Sequence, residues 1–259
     1  MSWRHATAFI SSPLLFCTIS IVSPVVPYAK AQAVLPVEQI VERMQQHEAN
    51  QLRELKHYDA VRHYQVQYKG FGTHLAAKME VELNYNKATG KSFHIVSLNG
   101  SKLLCDKVLK RAVESEQEAS KDRSSTALNT TNYRFQLSGT EPVDGRPAYI
   151  LNVDPLKKSK FLYRGRVWVD SDEYAVVKID VEPARNPSFW IRGTHIVNTY
   201  VKTDGVWLPA KNRSESKIRF GGTALLEIDY GTYHVLLAGS PRVAETQVAR
   251  MERREKLHN

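Results

Sequence analysis

The sequence predicts a mainly β protein with flanking helices, built on an antiparallel sheet that is apolar on one side and polar on the other. Three observations lead there. The first is strict alternation. Val167 and Val169 share one face, with Arg166, Trp168 and Asp170 on the other. After the polar bridge Ser171-Asp172-Glu173, the residues Ala175, Val177, Ile179 and Val181 share a face while Lys178, Asp180 and Glu182 point away. A period of two broken by a short polar bridge marks an antiparallel hairpin. The second observation is that such runs recur from about residue 60 to residue 237, whereas helical spacing occurs in two places only. The third is physical. A broad sheet that is apolar on one side must cover that side with a helix, a second sheet or a ligand, and which of these applies decides the function.

Taken in order, the first helical pattern opens at Pro36, well placed at a helix start, with Val37, Ile40, Val41 and Met44 on one face and Leu52 and Leu55 continuing it weakly. Two strands follow. In one, Tyr64, Val66 and Tyr68 alternate with polar residues; in the next, Met79, Val81, Leu83 and Tyr85 do so, with Gly70 and Gly72 marking the bend between them. A third strand covers 92–98. Leu104, Val108, Leu109 and Ala112 then have helical spacing, and 114–125 is nearly all polar, which predicts one helix with a packed first half and a solvated or frayed second half. Strands resume at Tyr133, Phe135 and Leu137, turn at 143–146, and return through Tyr149, Leu151 and Val153. The meander then runs from Phe161 nearly to Leu237, its last long strand showing Ala224, Leu226, Ile228 and Tyr230.

The ends differ in texture. Arg4 and His5 precede an uncharged stretch, 6–28, followed by Ala29-Lys30-Ala31, the layout of a signal peptide over residues 1–31 with cleavage after Ala31 or, second, after Ala33. The expected domain therefore covers 32–238, and 239–259 is a charged tail without regular apolar spacing. Cys105 is the one cysteine beyond the signal, which excludes an intramolecular disulfide; its setting in Leu103-Leu104-Cys105 predicts a buried structural thiol. A hydrophobic share of 42% and a charged share of 24% are ordinary for a globular domain.

Net charge is +9, of which Arg4 and Lys30 contribute +2. The densest basic cluster is Lys157, Lys158, Lys160, Arg164 and Arg166, with no acid among them; an exported protein rarely meets nucleic acid, so nucleic acid is not an expected partner. Anionic headgroups or an acidic surface of an envelope protein fit better, beside the plain alternative of a strand edge guarded by lysines. No nucleophile elbow, phosphate-binding glycine loop or metal-binding histidine spacing occurs, so neither an enzyme nor a cofactor is expected. Asp170, Asp172 and Glu173 cluster at a hairpin tip, where acids form turns.

With the order of elements in place, the chain resembles the periplasmic lipoprotein-sorting superfamily of carriers, receptors and sensor domains. The resemblance spans roughly residues 37–233 and is strongest at Gly165-Arg166-Val167-Trp168-Val169-Asp170, Phe189-Trp190-Ile191-Arg192 and Val206-Trp207-Leu208-Pro209. It implies a strongly curved antiparallel sheet, an incomplete β-barrel, with helices across the concave face and an apolar cavity between. It further implies a periplasmic protein that carries or sorts lipid or acylated lipoprotein; the alternative is an envelope sensor or scaffold that binds a protein partner. The family's carrier uses a cavity arginine, and this sequence does not select its counterpart: Arg62 and Arg134 both fall on predicted strands. Alternation alone gives a lipid-lining set of Tyr64, Val66, Tyr68, Met79, Val81, Leu83, Val177, Ile179, Leu226 and Ile228, which would equally serve as plain core beneath the two helices.

Overall fold

The computed structural model describes residues 35–238; the expected signal peptide and the charged tail lie outside the described residues. Helix α1 (Val37–Glu54) starts at Pro36, whose ring presets the entry into the helix, and runs directly into strand β1 (Leu55–Gly70). Leu55 thus belongs to the strand and not to the helix face that its spacing offered. A two-residue turn leads to β2 (Thr73–Asn86), and β3 (Gly90–Gly100) follows. The helical segment comprises α2 (Lys102–Leu104), a π-helical turn (Cys105–Leu109), α3 (Lys110–Lys121) and the single turn α4 (Arg123–Thr126). Seven strands complete the domain: β4 (Tyr133–Val143), β5 (Arg146–Pro155), β6 (Tyr163–Asp170), β7 (Val176–Pro183), β8 (Ile191–Thr203), β9 (Val206–Ile218) and β10 (Thr223–Asp229), with the short β11 (His234–Leu237) after them.

All strands join one antiparallel sheet in the order β3-β2-β1-β10-β9-β8-β7-β6-β5-β4, with β11 extending the β10 line along the start of β1. The path explains the architecture. The chain enters in the middle of the sheet and moves outward by hairpins to the β3 edge. It then crosses to the opposite edge at β4 and meanders back until β10 pairs with β1. The crossing segment is the one that carries α2 to α4, so those helices must lie over a sheet face. The sheet is open, with β3 and β4 as its edges among the described residues. Gly231, between β10 and β11, passes so close to β1 that an added Cβ would stand 2.2 Å from the Val61 carbonyl oxygen.

Two helices cover the apolar face in two halves. Leu104, Cys105, Leu109 and Val113 pack on a core of Tyr58, Tyr64, Val66, Met79, Val81, Leu83 and Ile228. Ile40, Val41 and Met44 of α1 pack on Tyr133, Leu151, Val153, Val167, Val169 and Val181. Cys105 is a buried free thiol, as its apolar setting predicts.

The structure departs from the pattern in two places. A bulge between Trp168 and Val169 leaves Val177 as the extra residue of β7, so Val177 turns to the opposite face and packs with Trp168 and Ala148, while Val176 takes its place beside Ile179 and Val181. Trp168, expected on the wet face, is buried there. Its indole nitrogen donates to Glu141 (2.6 Å) and the Lys178 ammonium lies 4.4 Å from the ring centre. The second half of the long helix is also not simply solvated: α3 continues to Lys121 and is tied down by charge instead of apolar contact, as described next.

Candidate functional site

The helix-facing side of β1 reads Tyr58, Ala60, Arg62, Tyr64, Val66, and Arg62 is the one charged residue in that stripe. Strand pairing fixes its neighbours: Arg62 stands opposite Val81, with Ala60 opposite Leu83 and Tyr64 opposite Met79. Its side chain is 1% exposed. Such a charge requires a partner, and α3 brings one: Arg62 Nη1 donates to Glu116 Oε2 at 2.7 Å. The other carboxylate oxygen accepts from Lys91 Nζ, also at 2.7 Å. The guanidinium lies 4.4 Å from the Tyr230 ring centre and 5.7 Å from that of Phe93. Burial by itself pushes the Glu116 carboxyl up, but the charges of Lys91 and Arg62 outweigh it and hold it below the usual carboxylate range. Burial works against the Arg62 charge, and Glu116 with the surrounding tyrosines more than restores it. A salt-bridged triad therefore pins a mostly polar helix to an apolar sheet.

Beside this triad, a cavity of about 450 Å³ lies between α1, the α3–α4 segment and the sheet. That is within the ~300–1,000 Å³ range of small-molecule sites. Its wall is two-sided. The sheet contributes Tyr85, Val176, Ile179, Tyr200 and Trp207, and the helical elements contribute His47, Glu48, Gln51, Glu116 and Arg123. Gln51 is anchored on the sheet, accepting from the Trp207 backbone N–H at 2.9 Å and donating to its carbonyl at 3.0 Å. Burial raises the Tyr200 hydroxyl well above its ordinary value and keeps it protonated near neutrality.

Of the ten residues predicted from alternation, Ile179 alone lines this cavity. Tyr64, Val66, Met79, Val81, Leu83 and Ile228 are packed beneath the helical segment, with Tyr68 and Leu226 at the margin of the same cluster. Tyr64 and Met79 also border a depression of about 410 Å³ lined mainly by polar residues such as His63, Lys78, Glu80 and Asp229. Val177 is on the far side of the sheet, as the bulge dictates. Sequence reasoning missed Arg62, although the alternation Tyr64, Val66, Tyr68, extended back along β1, puts an arginine in the apolar phase. Its partner Glu116 lies 54 residues further on, within the crossing segment, and carries no local signal.

The basic cluster at 157–166 acquires acids from elsewhere in the fold. Lys160 pairs with Glu118 (2.8 Å), Arg164 with Asp154 (2.9 Å) and Arg166 with Asp180 (3.1 Å). The acidic hairpin tip is a turn former, as expected: the buried Asp170 accepts from the backbone N–H groups of Asp172 and Glu173 and forms a two-bond pair with Arg146.

Fold and site together define an open, curved antiparallel sheet whose apolar face is closed by helices around an amphipathic cavity. No protein-family model and no curated protein matches the chain. Among solved structures, it is similar to a DUF1329 family protein from Desulfovibrio piger (TM-score 0.40, 14% identity, covering 80% of this chain and 96% of that one). It is also similar to a putative outer membrane lipoprotein-sorting protein domain from Vibrio parahaemolyticus (TM-score 0.39, 12% identity, 82% and 98% covered). A LolA superfamily protein from Nitrosomonas europaea gives a TM-score of 0.34 at 12% identity, with 81% and 96% covered.

Proposed function

We propose that the protein binds the acyl chains of a lipid or lipoprotein between its sheet and its helices, acting as a carrier or sorting protein in the periplasm after export. The observation that carries this is the two-sided cavity. Apolar side chains from the sheet suit a hydrocarbon tail, and charged groups on the helices suit a polar head. Ile179 is the tail-contacting residue in the closed form. Tyr64, Val66, Met79, Val81, Leu83 and Ile228 become available only when the segment from Lys102 to Lys121 lifts, because that segment now covers them. A tail that replaces it regains apolar burial at about 25 cal/mol per Å², ~0.8 kcal/mol per methylene. What must break is the Arg62–Glu116–Lys91 triad and the contacts of Leu104, Leu109 and Val113.

Saturable binding of a fluorescent fatty-acyl probe tests the reading. Ile179→Trp should project its indole into the cavity and weaken binding with little change in the denaturant midpoint. Absence of probe binding by the unsubstituted protein would defeat it. A second reading, a scaffold that recruits an envelope protein, is favoured by the β3 edge, where Ile95 and Val96 are exposed and the strand offers free backbone groups for pairing.

A further inference from the structure

Four large aromatic side chains stand in solvent at one end of the sheet: Phe71 (77% exposed), Phe189 (66%), Trp190 (60%) and Phe220 (59%). They come from three neighbouring connections, β1–β2, β7–β8 and β9–β10; Phe189, Trp190 and Phe220 form a chain of ring contacts, and Phe71 lies against Gly221 next to Phe220. Ring centres of Phe189 and Trp190 are 5.6 Å apart, as are those of Trp190 and Phe220, and the Phe71 ring lies over Gly221, 2.6 Å from where a Cβ would stand. The Arg219 N–H bonds to the Trp190 carbonyl (2.7 Å) and its guanidinium Nε to the Phe189 carbonyl (2.8 Å), which locks two of the connections together. Isolated exposed apolar residues need no explanation, but a contiguous aromatic patch does.

Phe71 is the sharpest sign. It occupies the first central position of a two-residue turn at φ 51°, a left-handed conformation that a bulky residue adopts at a cost. Among the described residues there are two more turns of the same kind, and there the position holds Asp144 (φ 49°) and Asp204 (φ 49°), which tolerate it. A residue both strained and exposed is retained for something other than folding. Charge identifies the partner. The three segments 69–74, 184–193 and 217–223 carry Lys69, Arg185, Arg192, Lys217 and Arg219 and no acid. All five cations are exposed. The cations at 160–166, by contrast, are paired with carboxylates.

Aromatic rings ringed by unopposed cations match the interface of an anionic bilayer, where rings sit at headgroup level and cations meet lipid phosphates. We propose that this rim docks the protein on an anionic lipid membrane. The rim lies at the other end of the strands from the cavity wall at Tyr85, Tyr174 and Trp207, so docking does not rest on the acyl-binding reading and fails separately from it.

The test is co-sedimentation of the chain from Gln32 onward, which contains the whole described domain, with vesicles. One set contains phosphatidylglycerol and phosphatidylcholine in equal parts, the other phosphatidylcholine alone. The expected result is binding to the anionic vesicles that weakens with salt. Phe71→Asn and Trp190→Ser should each reduce it about ten-fold. Arg192→Gln and Arg219→Gln should reduce it about five-fold apiece. Phe71→Asn also relieves the turn, so its thermal midpoint should hold or rise, which separates lost docking from lost folding. Ile179→Trp should leave vesicle binding unchanged. Equal binding by the rim variants and the unsubstituted protein overturns the proposal. Failure of the unsubstituted protein to bind anionic vesicles also overturns it, and assigns the patch to a protein partner.

Discussion

Replacing Glu116 by Gln removes the carboxylate that faces Arg62 and Lys91 while keeping the shape of the side chain. Arg62 is 1% exposed and cannot reach bulk water, so its charge is left with the Tyr230 and Phe93 rings and one amide oxygen. Breaking a fully buried ion pair from one side costs about 3–5 kcal/mol. Glu116 is 26% exposed and the amide still accepts one hydrogen bond, which brings the expectation down to ~2 kcal/mol, or about 1 M in urea midpoint. Arg62→Met should be far milder, ~0–1 kcal/mol, because it removes the stranded charge and leaves Glu116 with Lys91. The double variant should therefore be more stable than Glu116→Gln alone, with a coupling of ~1–2 kcal/mol. Because the Glu116 carboxyl is held below its ordinary value in the folded protein, its contribution is present above the usual carboxylate range and disappears as pH falls through the folded value. The gap between Glu116→Gln and the unsubstituted protein should close accordingly in acid. Urea titrations at neutral and acid pH measure all of this. If Arg62→Met costs as much as Glu116→Gln, or the two effects simply add, the triad is not the tie that holds the helix.

Other expectations follow from the same contacts. Hydrogen exchange should label 110–121 before β1 and β2, since Val113 is the one buried apolar residue of α3; equal protection would mean that this helix opens only with the whole domain. Leu83→Asn places an amide in packed core, so it should lower stability by ~1–3 kcal/mol in the free protein, read as a fall in urea midpoint. Asp170→Asn should cost ~1–3 kcal/mol at neutral pH, because the buried carboxylate accepts from two backbone N–H groups and from Arg146; a loss below 0.5 kcal/mol (roughly the background of surface changes) would show the turn to be self-sufficient. N-terminal sequencing of periplasmic material should begin at Gln32 or Val34.

Much of the sheet was legible because alternation is a local signal. Strands β1, β2, β4, β6 and β10 show it, and the apolar phase of β1, β2 and β10 is the helix-covered face. Two things were not local. The bulge at Val177 arises where β7 meets β6, and the run Ala175, Val177, Ile179, Val181 is unbroken in sequence. The cavity arises from two helical elements far apart in the chain, so alternation marked the face they cover and, apart from Ile179, not the space between them. The polar run 114–125 is largely exposed, as its composition predicts, but what ties it down was not legible for a related reason. Its glutamates have cationic partners on β1, β3 and the β5–β6 connection, at Arg62, Lys91 and Lys160, and only the folded chain brings them within 3 Å.

The most direct test of the central claim is mass spectrometry of the protein purified from the periplasm under native conditions, followed by organic extraction of the same sample. An acyl-chain lipid or lipoprotein fragment near one-to-one stoichiometry, reduced in Ile179→Trp prepared in parallel, is the expected result. A native mass equal to that of the polypeptide alone, with an extract free of acyl chains and no saturable uptake of the fatty-acyl probe, would contradict the account.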